Sequence, residues 1–136
     1  MIRNDQIQTG IVSYLKGIAT ITAELTTSAE IREDQWQGRD FVYPNIRVRM
    51  ISNSPQVDNR DGCNHSVNIG IMAFSEDASS QQADRIAGII GTVLHGRGFS
   101  SNSLSFHSVV TNLVPAVRSD MRTWRSEVLL QCVVSG

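Results

Sequence analysis

The chain has 136 residues, which suits one domain with one core. Hydrophobic residues make up 40% and charged residues only 18%, and the formal net charge is -1. That balance argues against a polyanion binder, which needs a basic footprint, and lets copies of the chain approach without strong repulsion. No apolar run is long enough to span a membrane, and the opening MIRNDQIQTG lacks the apolar stretch of a signal peptide.

The first element is a helix over 5–18. Ile7, Ile11, Tyr14, Leu15 and Ile18 share one face at spacings of three and four. Asn4 or Asp5 is placed to cap its start and Gly17 to end it. Residues 19–40 carry mixed signals, with a short edge strand expected around Ile31 in EIREDQW and a turn at QGRD.

YPNIRVRMIS reads as a strand. Ile46, Val48 and Met50 take one face, and Asn45, Arg47, Arg49 and Ile51 the other. Pro44 suits its first position, where no ladder amide is needed. NSPQVDNRDGCN then reads as a long polar loop within 52–65, a natural place for partner contact. HSVNIGIMAFS is the next strand, with Val67, Ile69, Ile71 and Ala73 on one face and Asn68, Gly70, Met72 and Phe74 on the other. The apolar end of that second face asks for a cover, from another subunit or from a core helix.

A helix at about 79–95 follows, with Ser79 and Gln82 at capping-box spacing and a stripe of Ala83, Ile86, Ala87, Ile90 and Leu94. Gly96 and Gly98 turn the chain. SLSFHSVVTNLVP and TWRSEVLLQCVV alternate as two further strands, joined by AVRSDMR as a connection or hairpin tip. The order α-β-β-α-β-β predicts an α+β two-layer sandwich. It would be a mostly antiparallel four-stranded sheet with helices on one face, in a single domain over 1–136.

The chemistry-bearing residues are sparse. His65, His95 and His107 fall in no metal-ligand pattern. Cys63 and His65 could be read as nucleophile and base of a small enzyme, but nothing else in the sequence supplies an oxyanion site. Cys132 alternates with core residues and reads as a packed thiol, and two free thiols are expected rather than a disulfide. Glu76, Asp77 and Asp84 suit the positive end of the second helix. No catalytic residue, cofactor or metal site is expected. Arginines stand out instead: Arg47 and Arg49 on one strand face, and Arg118, Arg122 and Arg125 in and beside the last hairpin. With Trp124, these are the candidate interface or channel residues; Trp36 and Trp124 suit a core or an interface equally.

Taken in order, these stretches resemble the tail-terminator, or tail-completion, proteins of long-tailed bacteriophages. EIREDQWQGRDFVYPNIRVRM is similar to that family's short strand, glycine turn, YP and next strand. VNIGIMAFSEDASSQQADRIAGIIGTVLHG is similar to its central strand, polar break and helix, and RTWRSEVLLQCVV to its closing strand. The resemblance runs from residue 5 to 134. It implies a small structural virion protein, a minor tail protein, that forms a ring, commonly a hexamer. Such a ring caps the tail tube, ends its polymerisation and offers the head-joining surface, while DNA passes through the channel without sequence-specific binding. The implied partners are further copies, the tail-tube protein and a neck or head-completion protein, with no membrane. The implied location is the tail or neck of the virion, assembled in the host cytoplasm. A head-completion or neck adaptor is the alternative within the same setting. The loop 52–65 and the hairpin around Arg118–Arg122 are expected to make the contacts.

Overall fold

Apolar alternation carries nearly half of the described residues into one sheet. In the computed structural model, which describes residues 1–26, 30–34, 42–56 and 64–136, the strands are β1 (Ile31–Glu33), β2 (Asn45–Pro55), β3 (Asn64–Ser75), β4 (Arg97–Ser101), β5 (Leu104–Arg118) and β6 (Trp124–Ser135). They form a six-stranded sheet in the order β1-β2-β3-β6-β5-β4. The helices are α1 (Asn4–Lys16), α2 (Ala19–Thr22) and α3 (Gln81–Leu94).

The four-stranded, mostly antiparallel sandwich expected from the sequence is therefore corrected. The sheet is mixed, because β1 runs parallel to β2, and it is curled. Strand accounts for 49% of the described residues, so the fold is mostly β with few helices. β1 is the short edge strand expected around Ile31. β4 at the other edge escapes a search for alternation for a physical reason: its residues, Arg-Gly-Phe-Ser-Ser, include no buried side chain to mark an inner face.

The curl is closed by α1. This helix packs on β1 and β2 near one edge of the sheet and on β4 at the other. Gln8 Nε2 donates to Val48 O at 2.7 Å on the first side, and Asn102 Nδ2 donates to Gln6 O at 3.1 Å on the second. Tyr14 stacks on Phe99 at 3.8 Å between centroids, and Phe99 on Phe106 at 4.9 Å. Gly10 is required here, since a Cβ would lie 2.9 Å from the Phe106 ring. The N-cap of α1 is Arg3 rather than Asn4 or Asp5, with the Arg3 amide donating to Gln6 Oε1 at 3.0 Å; Gly17 ends the helix.

The core lies between the helices and the inner sheet face. Ile7, Ile11 and Leu15 of α1 and Ile86, Ile90 and Leu94 of α3 meet Ile46, Val48, Val67, Ile69, Ile71, Val128, Leu130 and Val134 in one cluster. Burying that many aliphatic side chains, at about 1.5–3 kcal/mol each, is the main favourable term for the fold. β-bulges between Met50 and Ser52, Val110 and Asn112, and Val114 and Val117 break strict alternation in β2 and β5. α3 begins at Gln81, with Ser80 as N-cap and no side-chain cap; Gln82 instead shares a hydrogen bond with Ser75 Oγ at 2.5 Å. The capping box expected of Ser79 and Gln82 is therefore absent.

Candidate assembly surface

The outer sheet face is built by alternate residues that turn away from the helices. Arg47 and Arg49 come from β2, Gly70, Met72 and Phe74 from β3, and Arg125, Glu127, Leu129 and Val133 from β6. The apolar end of β3 is covered within the chain. Met72 and Phe74 are buried, and the Arg47 guanidinium lies 4.3 Å above the Phe74 ring. A cation over an aromatic face is electrostatically favourable, and the arginine stem covers the ring from water. Arg125 is opposite Phe74 in register, so Arg47 and Arg125 come from the strands on either side of it.

Arg49 has a different role. Its Nε and Nη2 donate to both oxygens of Glu127, at 2.8 and 3.1 Å, across the intervening strand. That span exists because residue 70 is glycine: a Cβ there would lie 2.5 Å from Glu127 Oε2 and 2.9 Å from Arg49 Nε. Sequence reasoning did not find this bridge. Its signal was a lone glycine inside an apolar strand, a mark of close approach.

The remaining candidates cluster at the β5–β6 turn. Arg118 lies over the Trp124 ring at 5.0 Å, and these two residues pair in register at the base of the turn. The turn is tightly bonded. Ser119 N donates to Thr123 O at 2.8 Å, Asp120 Oδ1 accepts from the amides of Arg122 and Thr123 at 2.9 and 3.0 Å, and Arg118 Nη1 donates to Met121 O. The Arg122 amide first, then Thr123, holds the Asp120 carboxyl below its ordinary value. Met121 projects from the turn, 89% exposed. The structure thus places Arg47 and Arg125 on the strands either side of β3, groups Arg118, Arg122 and Trp124 at the turn, and pairs Arg49 with Glu127. Of the loop 52–65, residues 52–55 belong to β2, while 57–63 lie outside the described residues, as does Trp36.

A groove of about 820 Å³ that the sequence did not announce runs between α2 and α3. Ala23, Gly88, Ile89 and Val93 supply its apolar lining. Glu24 and Arg85 form an ion pair at its side, at 2.9 Å.

His65 is a core residue. It is fully buried, Nε2 accepts the Ile2 amide at 3.2 Å, and Nδ1 lies 2.6 Å from Asn53 Oδ1. A nitrogen that accepts an amide proton carries none itself, so the ring proton sits on Nδ1 and is donated to Asn53. Asn53 Nδ2 in turn binds Ile2 O and Asn4 Oδ1, pinning the N-terminal segment to β2 and β3. Both ring nitrogens are thereby engaged, which removes the general base from a Cys63–His65 scheme; Cys63 itself lies outside the described residues. Cys132 is a free, buried thiol whose pKa burial pushes up to about 12. No helix among the described residues is long and apolar enough to cross a membrane.

No protein-family model and no curated protein matches the sequence. Solved structures do match the fold. One is a chain of the virion of a native gene transfer agent particle, 14% identical, with a TM-score of 0.71 over 96% of this chain and 95% of that one. A second solved chain is 10% identical, with a TM-score of 0.68 over 100% of this chain and 98% of its own. At such identities the likeness is one of fold, and it extends over nearly the whole of each chain.

Proposed function

We propose that this protein is a structural component of a phage-like virion and acts at the end of the tail tube. The observation that carries the reading is the near full-length fold likeness to a chain of a gene transfer agent virion. The sequence resemblance to tail-terminator proteins points to the same setting and supplies the finer role. In that role copies of the chain close into a ring, hexameric by the resemblance, which caps the tube, stops its growth and receives the neck. The ring leaves a channel through which DNA passes without sequence readout.

The surface chemistry supports a contact protein over an enzyme. The exposed chemistry is arginine-rich and apolar, at the outer sheet face and the β5–β6 turn, and the one histidine offered as a base is consumed by the fold. A net charge of -1 permits dense packing of copies.

Removing the gene from a producing strain and imaging the particles tests the role. The proposal expects tail tubes of uncontrolled length and heads without attached tails. Tubes of normal length joined to heads would sink it. Normal tubes with unattached heads would move the protein to the head-completion side of the joint.

A further inference from the structure

We infer that the β5–β6 turn of one copy docks in the α2–α3 groove of the next, Met121 foremost, joining copies head to tail. The inference deepens the ring proposed above and rests on that reading for closure into a ring. It stands on four observations.

The first is the knob. Met121 is 89% exposed, yet its turn is fixed by the Ser119–Thr123 bond, by the two amides on Asp120 and by Arg118 Nη1 on the Met121 carbonyl. A fixed turn loses little freedom on docking, and a thioether fits irregular apolar surfaces. The second is the hole. The groove holds about 820 Å³, more than one side chain needs, and its lining is mostly apolar.

The third is Gly88. Glycine weakens the middle of a helix. No atom lies within 4 Å of where its Cβ would stand, so no contact inside the chain requires the missing side chain. A partner packed over the notch would. The fourth is charge. Near the α3 side of the groove Arg85 pairs with Glu24 and also feels Asp77, so the acids there outnumber the one base. The turn presents Arg118 and Arg122, while the Asp120 carboxylate is occupied by turn amides. Turn against groove therefore brings opposite charges together. A two-fold contact of turn with turn would oppose arginines. Knob and hole on separate parts of one chain make a heterologous contact, which propagates and closes when the rotation permits.

The test uses the full chain with Cys63→Ser, adding Met121→Cys and Thr92→Cys, since Thr92 lines the groove. Mild oxidation of the double variant at high protein concentration should give a ladder of cross-linked dimers, trimers and larger species. Neither single variant should give one. A double variant that stays uncross-linked, or dimers formed by Met121→Cys alone, would overturn the contact.

A second measurement guards against misfolding. Met121→Asp blocks the knob, and Gly88→Leu fills the hole where space is open. Each alone should weaken self-association at least about tenfold. An equimolar mixture should form a two-chain complex and nothing larger, because one intact knob meets one intact hole. Unchanged self-association in either variant would refute the inference. A ladder from a chain absent from particles upholds the contact while removing the virion reading; a chain present in particles without the ladder does the reverse.

Discussion

Gly70→Ala tests whether the outer face is organised as described. The added Cβ would meet Glu127 Oε2 at 2.5 Å and Arg49 Nε at 2.9 Å, so the bidentate pair must open. Arg49 has 44% of its side chain exposed and Glu127 only 13%, which puts the pair at the upper end of the range for surface bridges, about 1 kcal/mol after solvent screening. Leaving the mostly covered Glu127 carboxylate without its partner adds about 1 kcal/mol. Against this, alanine restricts the unfolded chain and returns about 0.4–1 kcal/mol. The net is a loss of about 1–1.5 kcal/mol, or a Tm drop of roughly 3–7 °C for a domain of this size. The assay is urea unfolding of Gly70→Ala in two backgrounds, the natural sequence and Arg49→Met/Glu127→Gln. In the second background the obstructed pair is gone, and the same substitution should cost under about 0.5 kcal/mol or stabilise. Equal losses in both backgrounds would show that Gly70 is needed for something other than the bridge.

His65→Ala should cost about 2–4 kcal/mol in denaturant unfolding, since it opens a cavity and strands the Ile2 amide and the Asn53 carbonyl; a loss below about 1 kcal/mol would contradict the buried network. Asp120 has a lowered pKa, so its contribution to the turn is present above the ordinary carboxylate value of 3.8 and is lost as pH falls through the lower folded value. The amide shifts of Arg122 and Thr123 should titrate with a midpoint below 3.8, and a midpoint at or above it would show the turn is not capped by this carboxylate. Cys132, its thiol pushed up to about 12 by burial, should react with alkylating reagents at mildly alkaline pH only as fast as the protein unfolds, measured in a Cys63→Ser background. Faster labelling in the folded state would place the thiol nearer solvent than the core.

Much of the scaffold was legible because burial leaves a period. The face assignments of Ile46, Val48, Ile69 and Ile71 follow from alternation, and the stripe of α3 from three-and-four spacing. What stayed hidden has no period. β4 offers Arg97, Gly98 and Ser100 to solvent and so resembles a turn. The bulges in β5 shift Asn112 and Val117 out of the simple alternation, so the faces of that strand cannot be read past Val110. The cover on Phe74 is neither another subunit nor a helix but Arg47, two strand positions from Asn45 on the neighbouring strand, which no local window joins to the ring. Of the candidate surface, the arginines were visible as a list but not as pairs. Arg49 needed Gly70 and Glu127, which no local window joins to it. The α2–α3 groove depends on the packing of two helices distant in sequence, and only Gly88, unexplained within its own helix, hinted at it.

The central claim is that this chain sits at the end of a tail tube in a phage-like virion. Electron microscopy of intact particles from the producing strain, labelled with an antibody against this chain, tests it most directly. The account predicts label at one end of the tube, at the joint with the head. Label along the tube, on the capsid alone, or absent from purified particles would contradict it.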